Sequence, residues 1–162
     1  MVKRNLKIVF VALISLLCLF YATQNVVNIE VCYQTFAYVL GAVDHQVYTN
    51  QVIPAIHNSA VIWLATGIVI GLEFTAGLCA AKGAWDLWRA KNASAEEFNG
   101  AKTYALIACG LGIFTWLGLF AVFGGALLMM WQTDIGRGSL QNANQFFGAC
   151  ALIFMIVSMN DD

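Results

Sequence analysis

The chain has 162 residues, of which 60% are hydrophobic and only 10% charged, with a single proline. A soluble domain carries about 25% charged residues, so a water-facing coat is excluded and a single membrane domain, residues 1–162, is expected. The net charge of −1, with no basic stripe interleaved with aromatics, excludes nucleic acid as a partner.

Four apolar stretches follow in order. The first, residues 8–23, stands behind Lys3, Arg4 and Lys7. No small-x-small cleavage site follows Ala22 and the SLLC stretch is a poor lipobox, so it reads as an uncleaved membrane helix rather than a signal peptide. In the loop that follows, Asn28 is a candidate helix cap, and Cys32, Phe36, Leu40, Val43 and Val47 recur at helical spacing. That pattern predicts a short amphipathic helix on the membrane face or the tops of the spans. Pro54 breaks the chain before the second span, residues 60–81, which GAWDLWRA extends into the interface. Ser94 and Glu97, followed by Phe98, form a capping box that opens the third helix, with an interruption at Asn99-Gly100. The third span, residues 103–131, exceeds the roughly 20 residues a bilayer needs and should tilt or protrude. The fourth covers residues 143–159. The fold class is therefore all-α, an integral membrane four-helix bundle.

Lysine and arginine placement sets the expected orientation. Lys3, Arg4, Lys7, Lys82, Arg89, Lys91 and Lys102 fall on one side and Arg137 on the other, which puts both termini in the cytoplasm. Trp63 and Trp131, with Tyr21, mark the outer interface, and Trp85 and Trp88, with Tyr104, the inner one.

Chemistry-bearing clusters are few. Cys18, Cys79, Cys109 and Cys150 lie inside apolar segments and Cys32 in a loop, so the thiols read as packing residues and no disulfide framework is expected. His45 and His57 are both in the outer loop, leaving no facing pair in the spans for haem. With Asp44 they suggest at most a loop metal site, more readily ordinary polar loop residues. No nucleophile elbow, phosphate loop, zinc motif or dinucleotide fingerprint occurs, so no catalytic residue, metal or cofactor is expected.

Glu73 is the exception, the only charged side chain inside any of the four stretches. A charged carboxylate at that depth costs about 2.5–3.5 kcal/mol on insertion scales. Counting nine residues from Lys82, taken as the inner end of its span, puts Ser15, Thr115 and Trp116 at its level and no cation. Glu73 is accordingly expected to be neutral, hydrogen-bonded to Ser15, Thr115 or the Trp116 indole as glue between helices. On the opposite side of that helix Gly67, Gly71, Thr75, Cys79 and Gly83 recur every four residues, a small-residue ridge suited to close helix packing.

The stretches FAYVLGAVDH, GAWDLWRA, NASAEEFNGAK and GGALLMMWQT together resemble a family of predicted small integral membrane proteins of bacteria, known only as a domain of unknown function. The resemblance covers nearly the whole chain. It implies a four-span bundle in the bacterial inner membrane, with a glutamate at the position of Glu73, and no activity. The chain departs from the family pattern where Gly-Gly-Glu-Trp is expected and Gly124, Gly125, Ala126 and Leu127 stand, and where DIGRGSLQN replaces a WNG-type stretch.

The expected function is non-enzymatic: an inner-membrane protein contacting lipids and packing as an accessory subunit with other membrane proteins or with copies of itself. The alternative is a small proton- or cation-coupled transporter or channel using Glu73.

Overall fold

The computed structural model describes residues 1–161. Apolar stretches without internal proline satisfy their backbone groups within themselves, as lipid demands, and each becomes a helix. Helix α1 spans Val2–Val27 and α2 spans Ile29–Leu40. The long α3 covers Ser59–Ala90 and the single-turn-scale α4 covers Ala95–Gly100. Helix α5 begins at Thr103–Ile113 and continues without a break as a π-helix over Phe114–Leu127. A 3₁₀ turn at Met130–Gln132 leads into α6, Asp134–Ser158. Four of these stretches are long and apolar enough to cross a membrane.

The helices run further than their apolar cores. Helix α3 starts where Asn58 accepts hydrogen bonds from the Ala60 and Val61 amides, and it carries through GAWDLWRA to Ala90. Helix α6 begins at Asp134, capped by Thr133, well before the apolar stretch that starts at Ala143. The third span instead stops at Leu127, four residues before Trp131, because Met129 adopts a left-handed backbone at φ 53 and turns the chain. The Ser94–Glu97 capping box forms as expected, but it opens the short α4, and the chain re-enters a helix at Thr103. Asn28 stands between α1 and α2 without capping through its side chain; its amide group instead donates to the Gln24 carbonyl at 2.9 Å.

Neighbouring spans contact in the order α1, α3, α5, α6, and α6 closes the ring more lightly against α1. Two glycines allow the tightest approaches. A Cβ on Gly77 would lie 2.7 Å from the Leu19 side chain of α1, and one on Gly83 would lie 2.5 Å from the Ala105 amide nitrogen of α5. The core between the helices includes Val11, Ile14, Cys18, Ala76, Ala80, Trp116 and Cys150. All five cysteines are free.

At the end of the bundle that holds both termini, three charged side chains are buried together. The Asp161 carboxylate pairs with Lys7 at 2.5 Å and with Lys102 at 2.6 Å. Both lysines also donate to the Met159 carbonyl at 2.7 Å, and Asn99 accepts from Lys102 and from the Asp161 amide. Burial alone would raise the Asp161 carboxyl, but the two ammonium groups outweigh it and hold the group below its ordinary value. Beside this cluster, the Arg4 guanidinium donates to the carbonyls of Lys91 at 3.2 Å and Ala93 at 2.7 Å. At the opposite end Gln132 pins the loop after α2: its Oε1 accepts from the Val47 and Tyr48 amides at 2.9 and 2.7 Å.

Candidate functional site

Glu73 sits near the middle of α3, about 21 Å below its Ser59 end at 1.5 Å rise per residue. It is 3% exposed, and its Oε2 accepts a hydrogen bond from Asn25 Nδ2 at 2.9 Å. Asn25 lies in the last turn of α1, so the pair ties α1 to α3. Among the described residues only Asn25 bonds this carboxylate, which leaves Oε1 for whatever occupies the space beside it.

That space is a half-open chamber of about 310 Å³ at the end of the bundle remote from the termini. Its polar wall is made by Gln24, Asn25 and Asn28 from α1 and its end, Thr35 from α2, and Ser139 and Asn142 from α6. Trp116 and Phe120 from the π-helical half of α5 form the apolar floor with Val69 and Phe146. None of the described residues lining the chamber is cationic. The Trp116 ring is fixed edge-on to Phe146, which in turn packs against Tyr21 at 4.6 Å.

Of the residues expected around Glu73, Trp116 shares its chamber, whereas Ser15 and Thr115 are committed elsewhere. Ser15 donates to the Gly77 carbonyl at 2.8 Å, and Thr115 donates to the Leu111 carbonyl one turn back in its own helix at 2.9 Å. The depth count that grouped them took Lys82 as the inner end of the second span. Arg4 in fact meets the carbonyls of Lys91 and Ala93, nine residues or more further on, and this moves Glu73 level with Ala22–Asn25 of α1. Asn25, Gln24, Ser139 and Asn142 were missed. The signal for the last two was present: Ser139, Asn142, Ala143 and Phe146 follow the i, i+3, i+4, i+7 spacing of one helix face, and all four line the chamber.

A family model described as predicted small integral membrane protein (DUF2165) matches residues 3–160. The chain belongs to this family. Neither the curated proteins nor the solved structures yielded a match. The family description fits the four apolar helices and the integral membrane setting.

Gly67, Gly71 and Thr75 lie on an outward side of α3, with nothing within 4 Å of a Cβ built at either glycine, and Cys79 is half-buried. Of that ridge only Gly83 meets another helix closely. Trp63, Trp85, Trp88 and Trp131 are all exposed. Trp63 stacks on Tyr33, Trp131 meets Tyr48 edge-on, and Lys91 sits over Trp88. In the loop, the Asp44 carboxylate accepts from the Tyr38 hydroxyl at 2.8 Å and His57 lies against Gly41.

Proposed function

We propose that this is a non-enzymatic, multi-pass membrane protein that binds a small cationic ligand at Glu73. The observation that carries the reading is a nearly fully buried carboxylate, bonded on one oxygen by Asn25, facing a chamber whose described lining has no cation of its own. An ionisable group held at such depth is expensive unless something matches it, and intramembrane carboxylates that face cavities serve as ligand and ion sites. Binding of this kind is also the first step of a small cation-coupled transporter, the activity that would grow from the same site. The lysine and arginine distribution supports an orientation with both termini cytoplasmic.

The test is thermal unfolding of the detergent-purified protein titrated with methylammonium chloride against sodium chloride at equal ionic strength. A bound ligand at 100 times its Kd adds about 2.7 kcal/mol to the folded state. The wild-type Tm should rise with methylammonium and that of Glu73→Gln should not. An unmoved wild-type Tm, or an equal rise in the variant, rejects the reading.

A second reading rests on α3. Its outward Gly67–Gly71–Thr75 side offers a place where another helix's backbone can approach, which supports an accessory or self-associating subunit. In a background with the native cysteines replaced, Gly71→Cys should then form a disulfide-linked product in native membranes; monomer alone sinks it.

A further inference from the structure

The chamber beside Glu73 does not end in a wall. A second cavity of about 330 Å³ adjoins it, and the two share Thr35, Phe36, Val69, Phe120 and Ser139 as lining. Away from those shared residues the character changes completely. Every other residue around the second cavity is apolar, among them Leu40, Ile53, Ala65, Ile68, Phe123 and Leu127. Helix α2 supplies one wall of both cavities, through Val31, Cys32, Thr35 and Phe36 on the polar side and Thr35, Phe36, Val39 and Leu40 on the apolar side.

Each cavity alone is at the lower limit of the roughly 300–1,000 Å³ typical of ligand pockets, and joined they fall well inside it. A purely polar occupant would leave the aliphatic cavity to water or to a separate lipid tail, and apolar surface left wet costs about 25 cal/mol for each Å². A hydrocarbon occupant would leave the second oxygen of the buried Glu73 carboxylate, the one Asn25 does not bond, without a partner, and an unpaired buried polar group costs about 1–3 kcal/mol. One molecule with both characters satisfies both cavities. Charge complementarity selects its head. The buried ionisable group is a carboxylate, the described lining has no cation, and its Oε1, unbonded among the described residues, can accept from an ammonium N–H.

We propose that the joined cavity is a binding site for one amine-bearing amphiphile, with its ammonium on Glu73 and a hydrocarbon chain in the apolar cavity. The proposal rests on the cation-binding reading of Glu73 and names its ligand class. It separates this occupant from ordinary surrounding lipid, whose headgroups stay at the membrane interface while the Glu73 carboxylate is buried within the bundle. The shared chemistry, an ammonium on a hydrocarbon chain, is found both in aminophospholipids of the bilayer and in free long-chain amines.

The experiment uses the full chain in nanodiscs made from equal parts phosphatidylethanolamine and phosphatidylcholine, which differ in N–H donors and not in phosphate. The protein is extracted in mild detergent and its retained lipid is counted by native mass spectrometry. Wild type should retain phosphatidylethanolamine about tenfold over phosphatidylcholine, a difference of about 1.4 kcal/mol. Glu73→Gln should fall to the bulk ratio. Ala65→Phe, which fills part of the apolar cavity, should lower total retained lipid while keeping the Tm response to methylammonium. In a second arm, dodecylamine added to wild type should bind in a Glu73-dependent way; if it does so while phosphatidylethanolamine is not enriched, the amphiphile is a free amine rather than a bilayer lipid. Equal retention of the two lipids with no dodecylamine binding, or enrichment that survives in Glu73→Gln, overturns the proposal. A methylammonium response without binding of either amphiphile rejects it while leaving the cation site standing, and no response to any of the three rejects both.

Discussion

The α3–α5 contact gives the sharpest stability prediction. A methyl group at Gly83 would stand 2.5 Å from the Ala105 amide nitrogen, 2.8 Å from its Cα and 3.0 Å from its Cβ. Ordinary van der Waals contact begins near 3.4 Å, and two of the three obstacles are backbone, so no side chain can swing away. Gly83→Ala must therefore push two helices apart by several tenths of an ångström. Overpacking of this kind costs about 1–3 kcal/mol. Against it, replacing glycine by alanine in a helix gains about 0.8–1.0 kcal/mol. The net is a loss of roughly 0–2 kcal/mol, and the clash is isolated by comparison with Gly148→Ala in α6, where nothing lies within 4 Å of the new methyl. The two variants should differ by about 1–3 kcal/mol in reversible unfolding in mild detergent, with Gly83→Ala the weaker. Equal stabilities would refute the close approach of α3 to α5.

Three further outcomes follow from the same geometry. Asp161→Asn removes the only carboxylate among the described residues that pairs with the buried Lys7 and Lys102, and should cost about 3 kcal/mol, the low end for breaking a buried ion pair. Because the folded carboxyl lies below its ordinary value, its stabilisation is full above the unfolded value near about 4 and is lost as pH falls through the folded one; a stability–pH profile should show this acid loss in wild type and not in Asp161→Asn. Asn25→Ala leaves the Glu73 carboxylate without its donor and should destabilise by about 1–3 kcal/mol, whereas Glu73→Gln keeps a partner for Asn25 and should unfold close to wild type in the absence of ligand. Gln132→Ala should release the loop after α2, read as faster hydrogen exchange at the Val47 and Tyr48 amides.

The spans, the Ser94–Glu97 capping box and the isolation of Glu73 were legible in the sequence, because lipid leaves a long apolar run few alternatives to a helix. The surroundings of Glu73 were not. An amphipathic helix in interfacial water continues its hydrogen bonds past its last apolar residue, so hydropathy underestimates α3 by the nine residues from Lys82 to Ala90, and any depth counted from that edge shifts by more than two turns. What covers the small-residue ridge was not legible for a related reason. Four-residue spacing establishes that Gly67, Gly71 and Thr75 share a side, but lipid tails are as apolar as a helix interface, so spacing alone does not say which side is covered. The polar chamber is invisible span by span. Asn25, Thr35 and Asn142 each look like the wet fringe of a separate helix, and only the helix contacts bring them to one carboxylate.

The buried triad of Lys7, Lys102 and Asp161 has a bearing on biogenesis. Translation delivers the two lysines well before the aspartate, so an unfinished chain with its first three spans inserted carries two ammonium groups and no anion at their meeting point. Bringing the two lysines together in the low-dielectric end of the bundle is unfavourable until the Asp161 carboxylate that follows α6 is there to pair with both. The last span to be made thus also brings the counter-charge, lowering the net charge of the three groups from two positive to one, and a chain that stalls before it keeps both positive charges at that end.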